Sequence, residues 1–491
     1  MYLGLALVGG LAYRFYNLLK VPKGLQHVPK VPVLDLLVLF VRGKPFDQLF
    51  KRLVQPASRK MGMARIWMRG HWDVIITDAK LAQAVLSNHD MFPKSIEGGD
   101  TQFGQTLIKK LFGESNIVHS TGEAWRRHRK VVNSVFKKQW ETFLFGDCVL
   151  NMFSNVDEAG TDPVDIHDQF QRLTMDVLGL GIFSYNFNAL KDGEENHFLR
   201  IYNQLYKMIF DPVYFMLPFL ERWVPSRQKG HRMKDEFRAF LKQVIVSRKK
   251  EILDGFQASD LLSLMIKETL SKDSCLSDEE VLNDTIVFFL AGHETTANTL
   301  TTIIYYLSKH HDIQERARQE VLAIVGDNQV VCPTLEMTKS MEYINCIIKE
   351  SMRIITTVTQ VRRYCQEEFH VGEGIAIPKG SSIFVHNWAV HHDPEIYPEP
   401  DEFNPDRFIN PHNVQAQNWM GFGSGPRMCI GLKFSLIEQM VVLSMLLQKY
   451  TFTLGPQASN HPTLSGFGFT RLMDIDVVFT PRLNPCGSHL Q

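Results

Sequence analysis

A glycine-flanked cysteine loop constrains the fold of this chain more than any other stretch. Residues 422–431 read FGSGPRMCIG, and apolar spacing over 430–449 predicts a helix directly after them. Cys429 therefore lies at the start of a predicted helix, where backbone N–H groups and the helix dipole favour an anionic sulfur. Gly425 and Gly431 allow a tight turn and the close approach of a flat ligand. The loop thus predicts a chemically active sulfur beside such a ligand.

Two neighbours of the cysteine fit the same interpretation. Arg427 can pair with a carboxylate of the ligand, and Phe422 can shield the sulfur from water. The alternative is a structural cysteine buried in a turn, the usual role of a single cysteine. The run matches the haem-binding signature F-x-x-G-x-R-x-C-x-G at every fixed position, and the chain resembles the cytochrome P-450 family. The resemblance implies that the Cys429 thiolate is the axial ligand of a haem iron. It also implies that the cofactor is haem b and that Arg427, Phe422 and Gly431 help to bind it.

Bulk composition excludes two classes of protein. The 491 residues include 53 basic and 53 acidic side chains, whereas a nucleic-acid-binding protein normally has a marked basic excess. The seven cysteines are dispersed with no C-x-x-C pair, which argues against a zinc knuckle and favours reduced thiols over a disulfide framework. No linker-like run or repeat divides the chain. We expect one large domain that acts as a monomer.

The N-terminal stretch differs from the rest of the chain. Residues 1–13 carry no charge before Arg14 interrupts. Thirteen helical residues span about 20 Å, short of a bilayer core of about 30 Å, unless Arg14 snorkels and the helix continues. We predict a membrane anchor over 1–20, a proline-containing hinge over 21–34 and a catalytic domain over 35–491.

Lysines that follow this stretch predict its orientation. Lys20, Lys23 and Lys30 favour a cytosolic position for the catalytic domain, and we expect the anchor to lie in the endoplasmic reticulum membrane. A signal peptide is an alternative, but a basic start and a clear cleavage site are lacking. A buried or interfacial helix is the other alternative.

Apolar spacing predicts a mainly α fold with minor β sheets, which agrees with the cytochrome P-450 fold that the resemblance implies. Helices are predicted at 122–139, 231–254, 278–310, 312–325, 340–354 and 430–449. Strands are predicted at Ala64–Met68, Asp73–Thr77 and Ile383–His386. Residues 93–120 and 393–413 read as long irregular segments, and such loops in a compact domain are usually functional.

An E-x-x-R motif lies in the predicted helix 340–354. Glu350 and Arg353 share one face of that helix, and on its own the pair is most simply a surface ion pair. The resemblance implies instead that Arg407 joins them in a buried network that supports the haem loop. Asp406 stands where many relatives have glutamate.

The sequence AGHETT at 291–296 lies within the long apolar helix 278–310. Ala291 and Gly292 lack bulk, so a ligand can approach, and Thr295 can bond to the carbonyl one turn back. The simpler interpretation is a close helix–helix contact with two polar neighbours. The resemblance implies that Glu294 and Thr295 are catalytic and deliver protons during oxygen activation, with Ala291 against the haem.

A W-x-x-x-R motif predicts further contacts with the cofactor. The resemblance implies that Trp125 and Arg129 bind a haem propionate. Arg363 follows the E-x-x-R helix, where relatives also carry a propionate-binding arginine, and its neighbour Arg362 leaves that assignment open by one residue.

Basic side chains are dense around the helix that carries Trp125, namely Arg126, Arg127, Lys130, Lys137 and Lys138. A solvated surface explains them most simply. In a chain of zero net charge, such an excess can also steer an acidic electron donor. The resemblance implies NADPH-cytochrome P-450 reductase as the partner, with cytochrome b5 as a second candidate.

Variable segments of the family choose the substrate. Their counterparts here are 98–118, 205–216, Phe288, Phe289, Ala291, Thr356–Val361 and Ser465–Phe469. They predict an apolar pocket with some polar groups, which suits a steroid, sterol, terpenoid, fatty acid or xenobiotic. Relatives usually carry prolines near Thr356–Val361, and this chain has none between 354 and 377.

We expect a monooxygenase that activates O2 with electrons from NADPH and hydroxylates an apolar substrate. One alternative is a reductase-independent isomerase or dehydratase acting on a peroxide, although such relatives typically lack the acid–alcohol pair. Another is a haem-binding protein without enzymatic activity. The motif order and the apolar N-terminus resemble eukaryotic microsomal members, and the overall character is closest to fungal ones.

Overall fold

The computed structural model describes residues 20–32, 35, 46–68, 71–95, 106–137, 139–211, 213–214, 218–257, 260–271, 275–327, 329–372, 374–458, 464–465 and 469–482. Helices dominate these ranges, and the strands form small sheets. The predicted mainly α fold with minor β structure is therefore confirmed.

The α-helices of these ranges are numbered in chain order. They are α1 Phe46–Leu49, α2 Gln55–Ser58, α3 Ala79–Ser87, α4 Leu107–Phe112, α5 Gly122–Phe136, α6 Phe143–Ala159, α7 Ile166–Leu178, α8 Ala189–Asp192, α9 His197–Ile209, α10 Pro225–Leu253, α11 Leu261–Leu270, α12 Asp278–Lys309, α13 His311–Val325, α14 Leu335–Lys339, α15 Glu342–Ile354, α16 Asn387–His391, α17 Val414–Gln417 and α18 Leu432–Lys449. Short 3-10 turns at Pro405–Phe408 and Gly425–Arg427 lie near the cysteine loop.

The long helices predicted from apolar spacing are all present with shifted ends. The largest shift is at α10, which begins at Pro225 instead of 231 because proline is well tolerated in the first turn of a helix. Helix α5 ends at Phe136 instead of 139. The irregular segment 93–120 contains α4, which was not predicted.

The strands are β1 Met63–Met68, β2 His71–Ile76, β3 Val164–Asp165, β4 Val361–Tyr364, β5 Phe369–Gly372, β6 Ile375–Ile377, β7 Ser382–Val385, β8 Tyr450–Leu454, β9 Leu464–Ser465, β10 Arg471–Leu472 and β11 Asp476–Pro481. The largest described sheet has the order β1-β2-β7-β4, with β2 and β7 parallel and the outer pairs antiparallel. A second sheet has the order β3-β11-β8, and β9–β10 and β5–β6 form two-stranded pairs.

Helix α12 is the central element. Ser277 and Glu280 form a capping box at its start, with the hydroxyl of Ser277 accepting from the N–H of Glu280 at 3.2 Å. Residues from Val281 to Leu290 are all buried. The helix therefore runs through the interior and presents its side chains to neighbours on every side.

Two hydrophobic cores meet at the cysteine loop. The helical core surrounds α12 and includes Phe289 and Leu443, with Phe422 packed against it. The sheet core lies on one face of the largest sheet and includes Val74 and Met420. The loop that leads to the cysteine thus passes from one core to the other within three residues.

The predicted anchor 1–20 lies outside the described residues except for Lys20. Within the described ranges, no helix is both long and apolar enough to cross a membrane. Residues 21–32 of the predicted hinge are described. There Leu25, Val28 and Val31 are buried, and Lys30 pairs with Arg65 in a β-bridge, so this part packs on the sheet.

Candidate functional site

The cysteine loop lies between a 3-10 turn and a long helix. Gly431 is the N-cap residue of α18, and Cys429 lies two residues before it. The backbone N–H of Cys429 donates to the carbonyl of Phe422 at 3.0 Å, which closes the loop. The structure thus places the predicted iron ligand at the predicted helix start.

Gly425 sets the position of this loop against α3. Its φ is 71°, and a Cβ atom there would lie 2.3 Å from the carbonyl oxygen of Leu86. Both the backbone conformation and the lack of space require glycine at this position. The loop therefore lies directly against the backbone of α3.

The sulfur of Cys429 faces open space, since the residue is exposed. The surrounding protein nevertheless removes water from it, and this desolvation raises the pKa of the Cys429 thiol above its usual value. The N–H of Gly431 and the positive charge of Arg129 lower the pKa of the thiol and are outweighed. The predicted support for an anionic sulfur is present, but a metal ion is needed to complete it, because a coordinating thiol loses its proton.

Four cationic side chains from separate segments converge beside the loop. They are Lys94, Arg129, Arg363 and Arg427, and we call them the cation cradle. No ion pair joins any of them to a carboxylate within the described ranges. Helix α5 supplies Arg129, β4 supplies Arg363 and the cysteine loop supplies Arg427.

Arg427 is held by carbonyl oxygens and by an aromatic face. Its Nη2 donates to the carbonyl of Ser120 at 2.6 Å, and its Nη1 donates to that of Ile117 at 3.5 Å. Its guanidinium carbon lies 4.0 Å from the centre of the Trp125 ring. Its Nε is buried and has no hydrogen-bond partner among the described residues.

The structure distinguishes the two adjacent arginines of β4. The Nε of Arg362 donates to the hydroxyl of Ser382 at 2.8 Å, and its guanidinium lies over the ring of Tyr364. Arg363 is 2% exposed, and its charge acts on Lys94 and Arg427. Alternate side chains of a strand point to opposite faces, so Arg363 is the one in the cradle.

The cradle cations are held at an electrostatic cost. Burial lowers the pKa of Arg363 to about 10. Burial, followed by the charges of Arg363 and Arg129, lowers the pKa of Arg427 to about 9. Burial and the charges of Arg363 and Arg427 lower the pKa of Lys94 well below its usual value. Cations without anions, with orphaned donors on Arg363 and Arg427, fit a ligand that carries carboxylates, as the propionates of haem do.

Helix α12 is open at one point. Ala291 is the one exposed residue between Val281 and Ser308, a stretch that is described without gaps. The small side chain leaves the helix accessible there, as predicted. A Cβ atom on Gly292 would lie 2.6 Å from a methyl group of Leu178, so this glycine allows close packing of α12 against α7.

Glu294 is fully buried among polar side chains of other elements. It accepts from the amide of Gln171 at 3.1 Å and from the hydroxyl of Tyr202 at 3.4 Å, and Arg471 lies 4.0 Å away. Its second oxygen, Oε1, has no hydrogen bond within the described ranges. Desolvation, followed by the charge of Glu294, raises the pKa of Tyr202 well above its usual value.

Thr295 lies at the open point and not beside the carboxylate. Its hydroxyl donates to the carbonyl of Ala291 at 2.8 Å, which is the bond predicted for a threonine within a helix. No hydrogen bond joins its hydroxyl to Glu294 in the described structure. The two predicted catalytic residues thus occupy different sides of α12.

The E-x-x-R motif forms a buried network, which we call the support network. Both oxygens of Glu350 accept from Arg353, at 2.6 and 2.8 Å, and Arg407 donates to Glu350 at 3.3 Å. Arg353 also donates to the carbonyls of His391, Pro400 and Glu402. The residues that the resemblance connects are therefore in contact.

His391 links the support network to the cysteine loop. Its backbone carbonyl accepts from Arg353, and its ring Nε2 accepts from the N–H of Met420 at 2.9 Å. Desolvation, followed by the charge of Arg353, lowers the pKa of His391 well below its usual value. The ring is therefore neutral and can accept this bond.

Some of the basic side chains around α5 are paired within the chain. Arg126 lies 3.4 Å from Asp90, and Arg127 lies 3.2 Å from Glu280. Lys130 and Lys137 are exposed, and Lys138 lies outside the described residues. Lys130 and Lys137 are thus the most available cations for a partner protein.

A small apolar cavity lies between α4, α9, α10 and α12. It is lined by Leu111, Tyr202, Leu205, Tyr206, Ile209, Phe237, Ile286 and Leu290. The predicted segments 98–118 and 205–216 therefore contribute to it. Phe289, which was predicted to line the pocket, is fully buried and packs against Phe198 and Phe237 instead.

The other predicted substrate segments are partly structural. Thr356 donates to the carbonyl of Arg353 and bonds to the ring of His391 at 2.8 Å, so its polarity serves the support network. Phe288 contacts the ring of Phe136. Phe469 contacts Phe210, while 466–468 lie outside the described residues.

Sequence reasoning missed Lys94 and the partners of Glu294. Lys94 follows a proline in the irregular segment 93–120, and nothing local marks it. Gln171, Tyr202 and Arg471 come from three distant segments. Only the fold brings these groups together.

Comparison with known proteins agrees with this geometry. The family model described as cytochrome P-450 matches residues 28–474. Cytochrome P-450 3A41 of Mus musculus is 31% identical over 396 residues, covering 77% of this chain and 76% of that protein. Cytochrome P-450 3A9 of Rattus norvegicus is 27% identical over 456 residues, covering 86% and 90%.

A solved structure shows the same fold. The crystal structure of the cytochrome P-450DA haem domain matches with a TM-score of 0.74 and 22% sequence identity, covering 87% of this chain and 92% of that one. The exposed cysteine and the cation cradle, on this fold, define a haem-thiolate protein. The chain belongs to the cytochrome P-450 family. It is an oxidoreductase, a cytochrome P-450 monooxygenase with a haem iron cofactor.

Proposed function

We propose that this monooxygenase uses electrons from NADPH, delivered by NADPH-cytochrome P-450 reductase, to hydroxylate an apolar small molecule. The observation that carries the proposal is the open point of α12, where Ala291 is exposed and Thr295 places a hydroxyl. A buried carboxylate, Glu294, lies one residue away in the chain. The alcohol lies at the open site and the acid is buried behind it, and such a pair can supply protons to a reaction at that site once the carboxylate turns towards the hydroxyl.

The cofactor in this proposal is haem b. Cys429 would bind the iron, and the haem would supply the oxygen activation that an electron-donating thiolate ligand favours. Trp125, Arg129, Arg363 and Arg427 hold the propionates, and we add Lys94 to that set. Phe422 and Gly431 would help to hold the haem, and Ala291 would leave room for it at the open point of α12.

Proton delivery needs movement of both side chains. The hydroxyl of Thr295 must turn away from the carbonyl of Ala291 to donate into the open space. Glu294 is held by Gln171 and Tyr202, and its other oxygen has no hydrogen bond among the residues that the structure describes. We propose that Glu294 supplies the proton and Thr295 passes it on.

Replacement of Thr295 tests this role. Thr295→Ala should lower product formed per NADPH by roughly tenfold and release peroxide, because a positioned proton donor is lost. Thr296→Ala is the matched control, since the Thr296 hydroxyl is occupied by Ser435 at 2.9 Å. Unchanged product per NADPH in Thr295→Ala contradicts the role.

The substrate is proposed to be a steroid, sterol, terpenoid, fatty acid or xenobiotic. The side chains of α9 and α12 that line the small cavity between them are apolar and aromatic, and this character supports an apolar substrate. A screen of these compounds for a shift of the haem Soret band identifies the class that displaces the water bound to iron. A screen in which only polar compounds shift the band contradicts the proposal.

Reductase dependence separates this proposal from its alternatives. Reduced, carbon monoxide-treated protein should show the absorption band of a thiolate-ligated haem, and substrate should raise NADPH consumption with reductase present. Turnover of a lipid peroxide without an electron donor would favour an isomerase or dehydratase. Loss of both activities in folded, haem-loaded protein would favour a haem-binding role.

Partner and location follow from the same proposal. We propose that the exposed side chains of Lys130 and Lys137 form part of the surface that binds the reductase. Cytochrome b5 is a second proposed partner. We propose that residues 1–20 anchor a monomer in the endoplasmic reticulum membrane, with the catalytic domain in the cytosol. Fractionation of the full chain and of a chain lacking 1–20 tests the anchor.

A further inference from the structure

A buried histidine–aspartate pair joins α5 to α12. The Nδ1 atom of His128 lies 2.5 Å from the carboxylate of Asp284, and both side chains have no exposure. His128 lies between Trp125 and Arg129 in the sequence of α5. Burial of such polar groups lowers the stability of the fold unless their hydrogen bonds are satisfied. The other contacts of the two side chains therefore indicate their role.

The pair fixes the segment between α4 and α5. The second oxygen of Asp284 accepts from the N–H of Ile117 at 2.7 Å. The Nε2 of His128 lies 3.1 Å from the hydroxyl of Ser115, which donates to Glu280 at 2.9 Å. Asn283 donates to the carbonyl of Ser115 at 3.2 Å. Residues 115–120 are therefore fastened to the start of α12.

The fastened segment holds Arg427. Its carbonyls at Ile117 and Ser120 accept from the two Nη atoms of the guanidinium. The hydroxyl of Ser120 also accepts from the N–H of Asn116 at 3.1 Å, which stiffens the turn. The orientation of Arg427 thus depends on a segment that Asp284 and His128 keep in place.

We infer that His128 and Asp284 are positioning residues that hold Arg427 in the orientation in which it meets the haem carboxylates. The inference rests on the proposed role of Arg427 in binding those carboxylates. If the pair is broken, the carboxylate of Asp284 loses the contact that fixes it beneath the N–H of Ile117, and the segment is free to shift. The guanidinium then loses its fixed direction while its charge remains.

Esterified haem separates positioning from general stability. Haem-free protein is reconstituted with iron protoporphyrin IX or with its dimethyl ester, and haem loss to apomyoglobin is measured for each. In the wild type, esterification should speed haem loss by at least about tenfold, the effect of losing one charge-assisted hydrogen bond. In His128→Leu, the ratio between the two haems should fall several-fold, because Arg427 no longer meets the carboxylate.

Two further variants complete the test. His128→Asn keeps a donor towards Asp284 and should retain the wild-type ratio. Thr285→Ala removes a buried hydroxyl of α12 that bonds only to the carbonyl of Val281 at 2.7 Å in the described structure, and should also retain it. Should His128→Leu fail to fold, Asp284→Asn replaces it, with an intermediate ratio expected.

The outcomes are distinct. A wild-type ratio in both His128→Leu and Asp284→Asn overturns the positioning role, even if both variants are less stable. A wild-type protein that loses both haems at the same rate overturns the proposed cradle instead. A lowered ratio in His128→Leu with rescue in His128→Asn supports the inference.

Discussion

The support network and the cation cradle use the same side chain, arginine, in opposite ways. In the support network every N–H of Arg353 has an acceptor: the two oxygens of Glu350 and three backbone carbonyls. In the cradle, Arg363 and Arg427 each retain an Nε atom without a partner in the described structure. Arg353 and Arg363 are buried, and Arg407 and Arg427 are partly exposed.

The difference shows which charges the chain neutralises by itself. Glu350 compensates the support network, so that network belongs to the fold with or without a cofactor. The cradle lacks a carboxylate among the described residues, and burial lowers the pKa of its cations. The cradle is therefore completed only by an anionic ligand. Each variant below changes one side of this contrast.

The largest effect is expected from Glu350→Gln. Loss of the carboxylate leaves Arg353 and Arg407 buried without a counter-charge, which costs about 3–5 kcal/mol. The free energy of unfolding in denaturant should fall by this amount in both haem-free and haem-loaded protein. Glu342→Gln, at the exposed start of the same helix, should change it by less than about 0.5 kcal/mol. If both variants lowered the free energy of unfolding equally, the support network would not differ in stability from an exposed side chain.

Arg363→Met should act on the haem-loaded protein alone. Arg363 makes its described hydrogen bond only to the adjacent carbonyl of Arg362, so the haem-free protein should keep or gain stability. Haem loss should be about tenfold faster or more, because a charge-assisted contact disappears. Arg362→Met is the control and should leave haem loss unchanged. Destabilisation of the haem-free protein would show that Arg363 supports the fold.

Because Lys94 titrates, the contribution of the cation cradle to stability should depend on pH. The pKa of Lys94 in the haem-free fold lies well below the usual 10.5, so the unfolded chain binds more protons between these two values. Stability therefore rises with pH across this window, and the cost of the buried charge is largest below it. The advantage of Lys94→Met over the wild type in free energy of unfolding should shrink as pH rises.

Haem should weaken this pH dependence. Its carboxylates favour the charged lysine and raise the pKa of Lys94 towards its usual value. Denaturant titrations of the wild type and Lys94→Met, with and without haem, over a series of pH values below 10.5 measure the effect. The same slope in both forms would mean that Lys94 does not face the ligand.

The smallest effect is expected from Asp406→Asn. Asp406 pairs with Arg316 at 2.8 Å, and both side chains are about half exposed, at 51% and 50%. Such a pair contributes about 0–1 kcal/mol, although Asp406 is adjacent to Arg407 of the support network. Haem loss should not change. A loss of stability close to that of Glu350→Gln would extend the network to Asp406.

Local patterns in the sequence predicted the elements that carry the site. The six long helices follow from apolar spacing, and the position of Cys429 before α18 follows from the loop and the helix after it. The contact of Arg407 with Glu350 came from resemblance alone, since no local signal connects two residues that are 57 positions apart.

Side-chain direction and long-range convergence could not be predicted. Glu294 and Thr295 are adjacent in sequence, but successive residues of a helix point about 100° apart, so the acid and the alcohol face different neighbours. The same rotation turns Gly292 away from Ala291, so that Gly292 packs against Leu178. Lys94 enters the cradle only because β4, α5 and the cysteine loop meet beside it.

The course of the chain through Met420 and Phe422 has a mechanical consequence. One side of this step is set in the sheet core and the other rests on the helical core, with Gly421 between them. A Cβ atom on Gly421 would lie 2.4 Å from the Trp419 ring, so there is little slack at the crossing. The backbone that leads to Cys429 is therefore fixed by the packing of both cores, and a substitution that displaces either core would also displace the cysteine loop.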